Sequence, residues 1–509
     1  MGSGATEILE QQAISTEIGT AVRHSFIYGM GGVLVRLLGF LLLPFFTHYL
    51  SPRDYGVLEI LDTSMSLLGM FLNMGITAAL LRYYGAAQTK EERRKVVGTV
   101  FVFAVTTGLL VFALGLAALP TASRLIFGPT IPPTYLLLSF TYFVLGYIGN
   151  IPVTYLRAKE SSGRVVWIDT LGTLGILILS IVFLAGFKMA ILGMLLSSLI
   201  VGCVKLVVVV KWMVPDMSLR LDWNLLRRIL RFGAPLVFAN LTIFILNFSD
   251  RFFLQRLASL EVVGIYALGY KFGYLLNFIV IQPFNMMWQA RMYAVARRPD
   301  AQQVFAQVFA LYSYALILAA LGLSLVSREV VRLMVDPRYA AGAQVVGIVA
   351  LAYVFLGIAY YVQLAMYLNH RTGLVGGVSA MAAVVNIGAN YFFISRFGMM
   401  GAALATLIGF MVLAIGSYYC SERVFAMHLP VGRVCQGLCV AVALYMLDQR
   451  LNPSAVLSAI ALKCLLLVIF AATLRLRLLS AEELGTLRSL WKSGASAVMR
   501  FRKVGFATT

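Results

Sequence analysis

Apolar residues run almost unbroken along this chain, and polar residues gather in short clusters between the runs. From Leu37 the sequence reads LLGFLLLPFFTHYL, breaks at SPRDYG, and turns apolar again at Val57. Runs of about 20 residues between charge clusters have the length of a helix that crosses a bilayer core. Bounded by Gly, Pro and charge, they predict about fourteen transmembrane spans. In chain order these are 25–46, 57–81, 97–119, 135–156, 167–185, 190–210, 233–254, 262–290, 304–326, 343–368, 374–394, 399–420, 434–447 and 455–474. The expected architecture is therefore an all-α polytopic membrane protein.

The polar breaks alternate in charge. The loops at 90–95, 157–164, 211–231 and 291–298 are basic. With both termini on that side, it holds about 26 Lys and Arg against about 9 on the other. The positive-inside rule then places both termini in the cytoplasm. The same asymmetry accounts for most of the net charge of +20, which is topology and no sign of a nucleic-acid partner. The break at SPRDYG becomes an external hairpin. There Ser51-Pro52 starts a turn and Gly56 relieves the backbone.

That break has a counterpart. At a shift of 208, LSPRDYGVL lies over ASLEVVGIY, with Ser51 on Ser259 and Gly56 on Gly264. GMLLSSLI from Gly193 falls on GAALATLI from Gly401 at the same shift, and Tyr155-Leu156 on Tyr367-Leu368 at a shift of 212. These anchors predict two pseudo-symmetric six-helix lobes in the same orientation. The expected divisions are an N-lobe over 1–232, which includes a cytoplasmic N-terminal segment and a basic linker, and a C-lobe over 233–421. Two extra helices and a basic cytoplasmic tail fill 422–509.

Composition agrees with a lipid solvent: 61% of residues are apolar and 12% charged, against about 25% charged in soluble domains. The polar start, with Glu7, Glu10 and Glu17 ahead of its first Arg, has the wrong charge for a signal peptide. The five cysteines lie in or beside apolar runs without CxxC spacing or His partners, so they read as packing residues. Neither a metal site nor a catalytic residue is expected. P-loop, kinase, zinc and triad motifs are all missing from the sequence, and the reading is not that of an enzyme. Energy would come from an H⁺ or Na⁺ gradient, the membrane potential, or metabolic pull, with no bound cofactor.

RLLGFLLLPFFTHYLSPRDYG from Arg36, YLRAKE from Tyr155, SDRFFL from Ser249 and GMMGAALATLI from Gly398 together resemble the polysaccharide transporter family. These are Wzx-type flippases of lipid-linked oligosaccharides, within the superfamily that also holds multidrug exporters and the lipid II flippase. The resemblance implies a V-shaped pair of lobes around a cavity that opens alternately to cytoplasm and periplasm of a bacterial inner membrane. It implies an undecaprenyl-pyrophosphate-linked oligosaccharide as cargo, a repeat unit of O-antigen, capsule or exopolysaccharide. Beside membrane lipids, a polymerase and a chain-length regulator are the protein partners it suggests. An ion-coupled multidrug exporter and a lipid II flippase are the alternatives.

Ionisable residues inside spans are the functional candidates, since each costs about 2.5–3.5 kcal/mol at a span centre. Arg36 lies about 18 Å along the first span, too deep to reach the interface easily. Lys271 sits in GYKFG, opposite the small face made by Gly269 and Gly273. Arg36 and Lys271 are the candidates for an anionic headgroup. Asp62, next to the repeat position of Lys271, is a candidate for ion coupling or for an inter-lobe pair with Lys271. Asp250 and Arg251 are gate or anchor candidates. Asn386 and Asn390, one helical turn apart, either meet sugar hydroxyls in the cavity or bond a neighbouring helix. Arg82, Asp169 and Lys205 are close enough to the cytoplasmic face to snorkel or cap, and Lys463 receives no role.

Overall fold

Ser51-Pro52 starts a helix, not a turn. Asp54 N–H donates to Ser51 Oγ at 3.1 Å and Ser51 N–H donates to Asp54 Oδ2 at 3.0 Å, a reciprocal cap worth about 1 kcal/mol. Pro52 at the first helical position gives up only a donor that the helix does not use. The expectation for Gly56 is corrected as well. It lies inside the helix and has no positive φ, and what it provides is space. A Cβ there would stand 1.8 Å from the carbonyl oxygen of Leu260.

The computed structural model describes residues 39–40, 42–451 and 456–486, and among them there is no strand. The helices are α1 (Leu43–Tyr49), α2 (Pro52–Asn73), α3 (Ile76–Ala86), α4 (Lys90–Phe127), α5 (Pro133–Ala158), α6 (Ser162–Ile181), α7 (Ala190–Met213) and α8 (Trp223–Leu257). They continue as α9 (Leu260–Leu276), α10 (Gln282–Val295), α11 (Ala301–Met334), α12 (Ala343–Val362), α13 (Leu364–Leu368), α14 (Thr372–Val424), α15 (Val431–Leu451) and α16 (Val456–Thr473). Among the described residues, eleven helical stretches are long and apolar enough to cross a membrane. One of them, α14, runs 53 residues and breaks at Gly398 (φ 54°), so it holds two of the expected spans. α8, which carries Asn247, Asp250 and Arg251, covers the expected span 233–254. Most of the first expected span lies outside the described residues. The helices overrun the apolar runs because polar caps such as Thr89 with Glu92 begin them outside the greasy stretch.

By packing, the chain divides into two units. The first holds Met1–Phe244, Ser259–Gly264 and Met334–Tyr339, and the second holds Ile245–Ala258, Ile265–Leu333 and Ala340–Thr509. In the first unit, α3, α4, α5 and α7 meet in a core that includes Ala79, Val100, Ile151, Leu156 and Val209. The basic stretch after α7 docks on α4: Ser218 N–H donates to Arg94 O at 3.1 Å, and a Cβ at Gly98 would lie 1.6 Å from Ser218 O. In the second unit, α12 is the central element, with Val349, Ala350 and Tyr353 fully buried. Gly269 and Gly273 on α9 pack on it as their spacing predicts: a Cβ at either would meet Val345 or Val349 within 2.7 Å. Leu110 and Leu114 on α4 are 58% and 61% exposed, which is stable only where the solvent is lipid.

Each unit carries the same turns. Glu160 and His370 both take φ 56°, and Lys188 and Gly398 take 55° and 54°. Ser161 N–H donates to Leu156 O at 2.9 Å, and Arg371 N–H donates to Met366 O at 2.8 Å. Every one of these pairs is separated by 210 residues. The match that set Tyr155 on Tyr367 is two residues off this register, because the left-handed residue, not the tyrosine, decides where the helix stops.

Two glycines of α2 and α5 should respond oppositely to a methyl group. Gly146→Ala, with nothing within 4 Å of its added Cβ, should be stabilising by about 0.5–1 kcal/mol through helix propensity. Gly56→Ala should be destabilising by about 1–3 kcal/mol through overpacking. Thermal melts in detergent check both, and shifts of the same sign would discard the close-approach argument. Single cysteines at the exposed positions 53, 93 and 259 test the orientation in whole cells. Labelling of 53 and 259 from outside, and of 93 only from the cytoplasm, is expected; the reverse pattern inverts the topology.

Candidate functional site

The second unit holds a polar cluster inside its helical core. Asp250 and Arg251 are each 2% exposed and follow one another on α8. Arg251 Nη1 donates to Asp250 Oδ1 at 2.7 Å and to Asn247 O at 2.5 Å. Tyr266 of α9 donates its hydroxyl to Asp250 Oδ2, and Thr406 of α14 donates to the same oxygen at 3.4 Å. The guanidinium stacks over Tyr270, 4.2 Å from the ring centroid. Tyr270 and Tyr353 share a hydroxyl hydrogen bond of 2.8 Å, and Tyr353 donates to Asn247 Oδ1 at 2.9 Å. A carboxylate and a guanidinium thus replace their lost hydration with each other and with the polar groups of four helices. Every partner named here belongs to the second unit, where the cluster ties α8 to α9, α12 and α14.

Asn386 and Asn390 extend the same cluster. Both are buried, at 1% and 0% exposed. Asn386 Nδ2 donates to Ala405 O at 3.0 Å, bridging the two halves of α14. Asn390 Nδ2 donates to Ser249 Oγ and to Asn386 Oδ1, each at 3.1 Å. Their amides are therefore engaged in helix contacts. Asn390 Oδ1 is buried with no hydrogen-bond partner among the described residues.

The other candidates are placed differently. Lys271 is half-buried on α9, on the face opposite Gly269 and Gly273. Asp62 is exposed on α2 of the first unit. Arg36 lies outside the described residues. Near the turn after α5, Lys205 Nζ sits 2.7 Å from Asp169 Oδ1, with Arg157 at 4.0 Å from the same carboxylate, so Asp169 and Lys205 pair with one another, while the Arg82 guanidinium stands 4.6 Å from the Phe232 ring centroid. Lys159 donates to Asp216 at 2.5 Å, and that bond raises the Lys159 pKa. Lys463 forms an ion pair with Glu329 in the second unit. Among the described residues, no group of His, Cys, Asp or Glu could hold a metal ion.

Sequence reasoning missed the tyrosines. Tyr266, Tyr270 and Tyr274 recur every four residues in YALGYKFGY, a stripe on one face of α9. That stripe marks the face meeting Asp250, but the pattern alone does not say that a charge lies across from it.

The arrangement of spans matches known folds. The lipid II flippase MurJ in its inward closed conformation superposes with a TM-score of 0.70 at 13% identity, over 88% of this chain and 98% of that one. An inward-facing multidrug resistance MATE transporter of the MOP superfamily gives 0.64 at 16% identity, over 76% and 94%. A point mutant of the Vibrio cholerae MATE transporter VcmN gives 0.59 at 15% identity, over 80% and 97%. By fold, then, the chain is an all-α, multi-span membrane protein built like flippases and multidrug transporters. Residues 21–287 match the family described as polysaccharide biosynthesis protein, and the chain belongs to that family. No curated protein matches it.

Proposed function

We propose that this protein is a flippase that moves an undecaprenyl-pyrophosphate-linked oligosaccharide from the cytoplasmic to the periplasmic leaflet of a bacterial inner membrane by alternating access. The observation that carries the reading is the match of 21–287 to a polysaccharide biosynthesis family in a chain whose fold is also that of a lipid II flippase. A polyprenyl pyrophosphate is multiply anionic, and its headgroup must leave water to cross. Lys271, half-buried on α9 opposite the glycine face that packs on α12, is a cation suited to accompany it, and Arg36 is the second. Asp62 is the candidate for coupling to H⁺ or Na⁺. A polymerase and a chain-length regulator would receive the translocated unit.

The fold shared with multidrug transporters supports a second reading, an ion-coupled exporter of drug-like cations. Proteoliposomes distinguish the two. Labelled undecaprenyl-pyrophosphate oligosaccharide should become accessible across the bilayer only with protein present, while lipid II and a cationic dye should not move. Dye transport without glycolipid movement would replace the flippase reading with the exporter, and lipid II movement alone would narrow the cargo to that precursor.

A further inference from the structure

We propose that the groove between α6 and α7 in the first unit is a binding site for an anionic phospholipid, with its headgroup at the turn that joins α5 to α6. The groove encloses about 710 Å³. Its walls are apolar along most of their length, with Leu171 and Leu179 on α6 facing Ile200, Val204 and Val208 on α7. It exists because α6 carries glycines where a wall would otherwise stand. A Cβ at Gly175 would already meet Val201 Cγ2 at 3.2 Å, and the stem of Lys205 crosses Gly172 with its Cδ 3.8 Å from a Cβ there.

Charge enters at one end only. Arg164 and Lys205 line that end together with Trp167 and Trp212, and Arg157 and Lys205 share the single carboxylate of Asp169. Arg164 and Lys205 are the charged residues of the lining, which includes no carboxylate, so the mouth is positive. Arg164 has no carboxylate partner among the described residues, and its guanidinium stands 5.8 Å from the Trp212 ring centroid. Tryptophan beside a cation marks the level of lipid headgroups, and a basic mouth attracts anionic ones.

Length decides the occupant. From Gly163 to Leu179 the groove follows α6 for about 24 Å, close to the roughly 20–22 Å between headgroups and midplane in one leaflet. A phospholipid acyl chain ends there, whereas a polyprenyl chain is longer than a leaflet is deep. The inference does not rest on the flippase reading, because an annular lipid site can serve any transporter of this fold.

The test is fluorescence quenching of the full-length protein in detergent by phosphatidylglycerol carrying brominated acyl chains, with brominated phosphatidylcholine as the neutral probe. The groove signal is the part lost in a W167F/W212F double variant. Phosphatidylglycerol should half-saturate it at about fivefold lower concentration than phosphatidylcholine, the effect of one cation near a membrane surface. Arg164→Gln should bring the two together, and Arg164→Lys should preserve the preference. Gly172→Leu, which fills the floor, should remove quenching by both lipids while the melting temperature stays close to that of the parent. Equal quenching by the two lipids, or a preference that survives Arg164→Gln, would overturn the proposal. So would displacement of brominated phosphatidylglycerol by a polyprenyl phosphate at lower concentration than by unlabelled phosphatidylglycerol.

Discussion

Arg251→Leu should lower stability by about 3–5 kcal/mol. The substitution leaves Asp250 charged and buried, with Tyr266 and Thr406 the hydrogen-bond donors that remain from the cluster. The double variant Asp250→Asn/Arg251→Leu should recover most of that loss. A neutral amide accepts the same tyrosine bond without a charge to desolvate, and a leucine packs where the guanidinium stacked on Tyr270. Denaturation in detergent of wild type, both single variants and the double variant measures the coupling directly. An Arg251→Leu protein that melts with the wild type would show that the pair is not buried as described. Translocation separates the two remaining roles: a double variant that folds and still transports makes the pair an anchor of α8, and one that folds but fails to transport makes it part of a gate.

Lys271→Ala should reduce glycan export by about tenfold to hundredfold with membrane insertion unchanged. That is the range expected for loss of one charge-assisted hydrogen bond to an anionic group, about 1.5–3 kcal/mol. Arg36→Ala should act in the same direction. Lys271→Met, similar in length but uncharged, should match the alanine variant if charge is what counts. Polymer on the cell surface, normalised to protein in the membrane fraction, is the readout. Normal export in both alanine variants would remove the cationic contact from the proposed function. Asp62→Asn belongs in the same series, because a transport rate equally insensitive to Na⁺ and H⁺ gradients before and after the change would exclude Asp62 from coupling.

The register of the two repeats shows how far a one-dimensional pattern reaches. Gly56 and Gly264 align in the sequence, and the fold gives them one reason: a Cβ at Gly264 would lie 1.9 Å from Pro52 O, as one at Gly56 would crowd Leu260 O. The spacing of Gly269 and Gly273 likewise announced a close helix contact, and α12 supplies it. At these positions a near backbone or side chain makes the small residue necessary, whereas Gly146 has nothing within 4 Å. SPRDYG reads as a turn in sequence because Ser, Pro and Asp serve turns and helix starts alike, and only the reciprocal bonds between Ser51 and Asp54 distinguish the two.

Apolar runs and loop charge were enough to establish a many-span helical membrane protein, because lipid accepts few other backbones and imposes a minimum length on each helix, and the segments that align at a shift of 208 pointed to an internal duplication. They could not say which polar groups meet. In a water-soluble helix the polar face points outward and the apolar face inward, but in a bilayer both faces are apolar, so periodicity no longer marks the inside. The meeting of Asp250 on α8 with Tyr266 on α9 and Thr406 on α14, the pairing of Lys463 with Glu329, and the groove between α6 and α7 each join residues from different helices. Packing alone decided them, through the cost of leaving a charge or a void unpartnered in hydrocarbon.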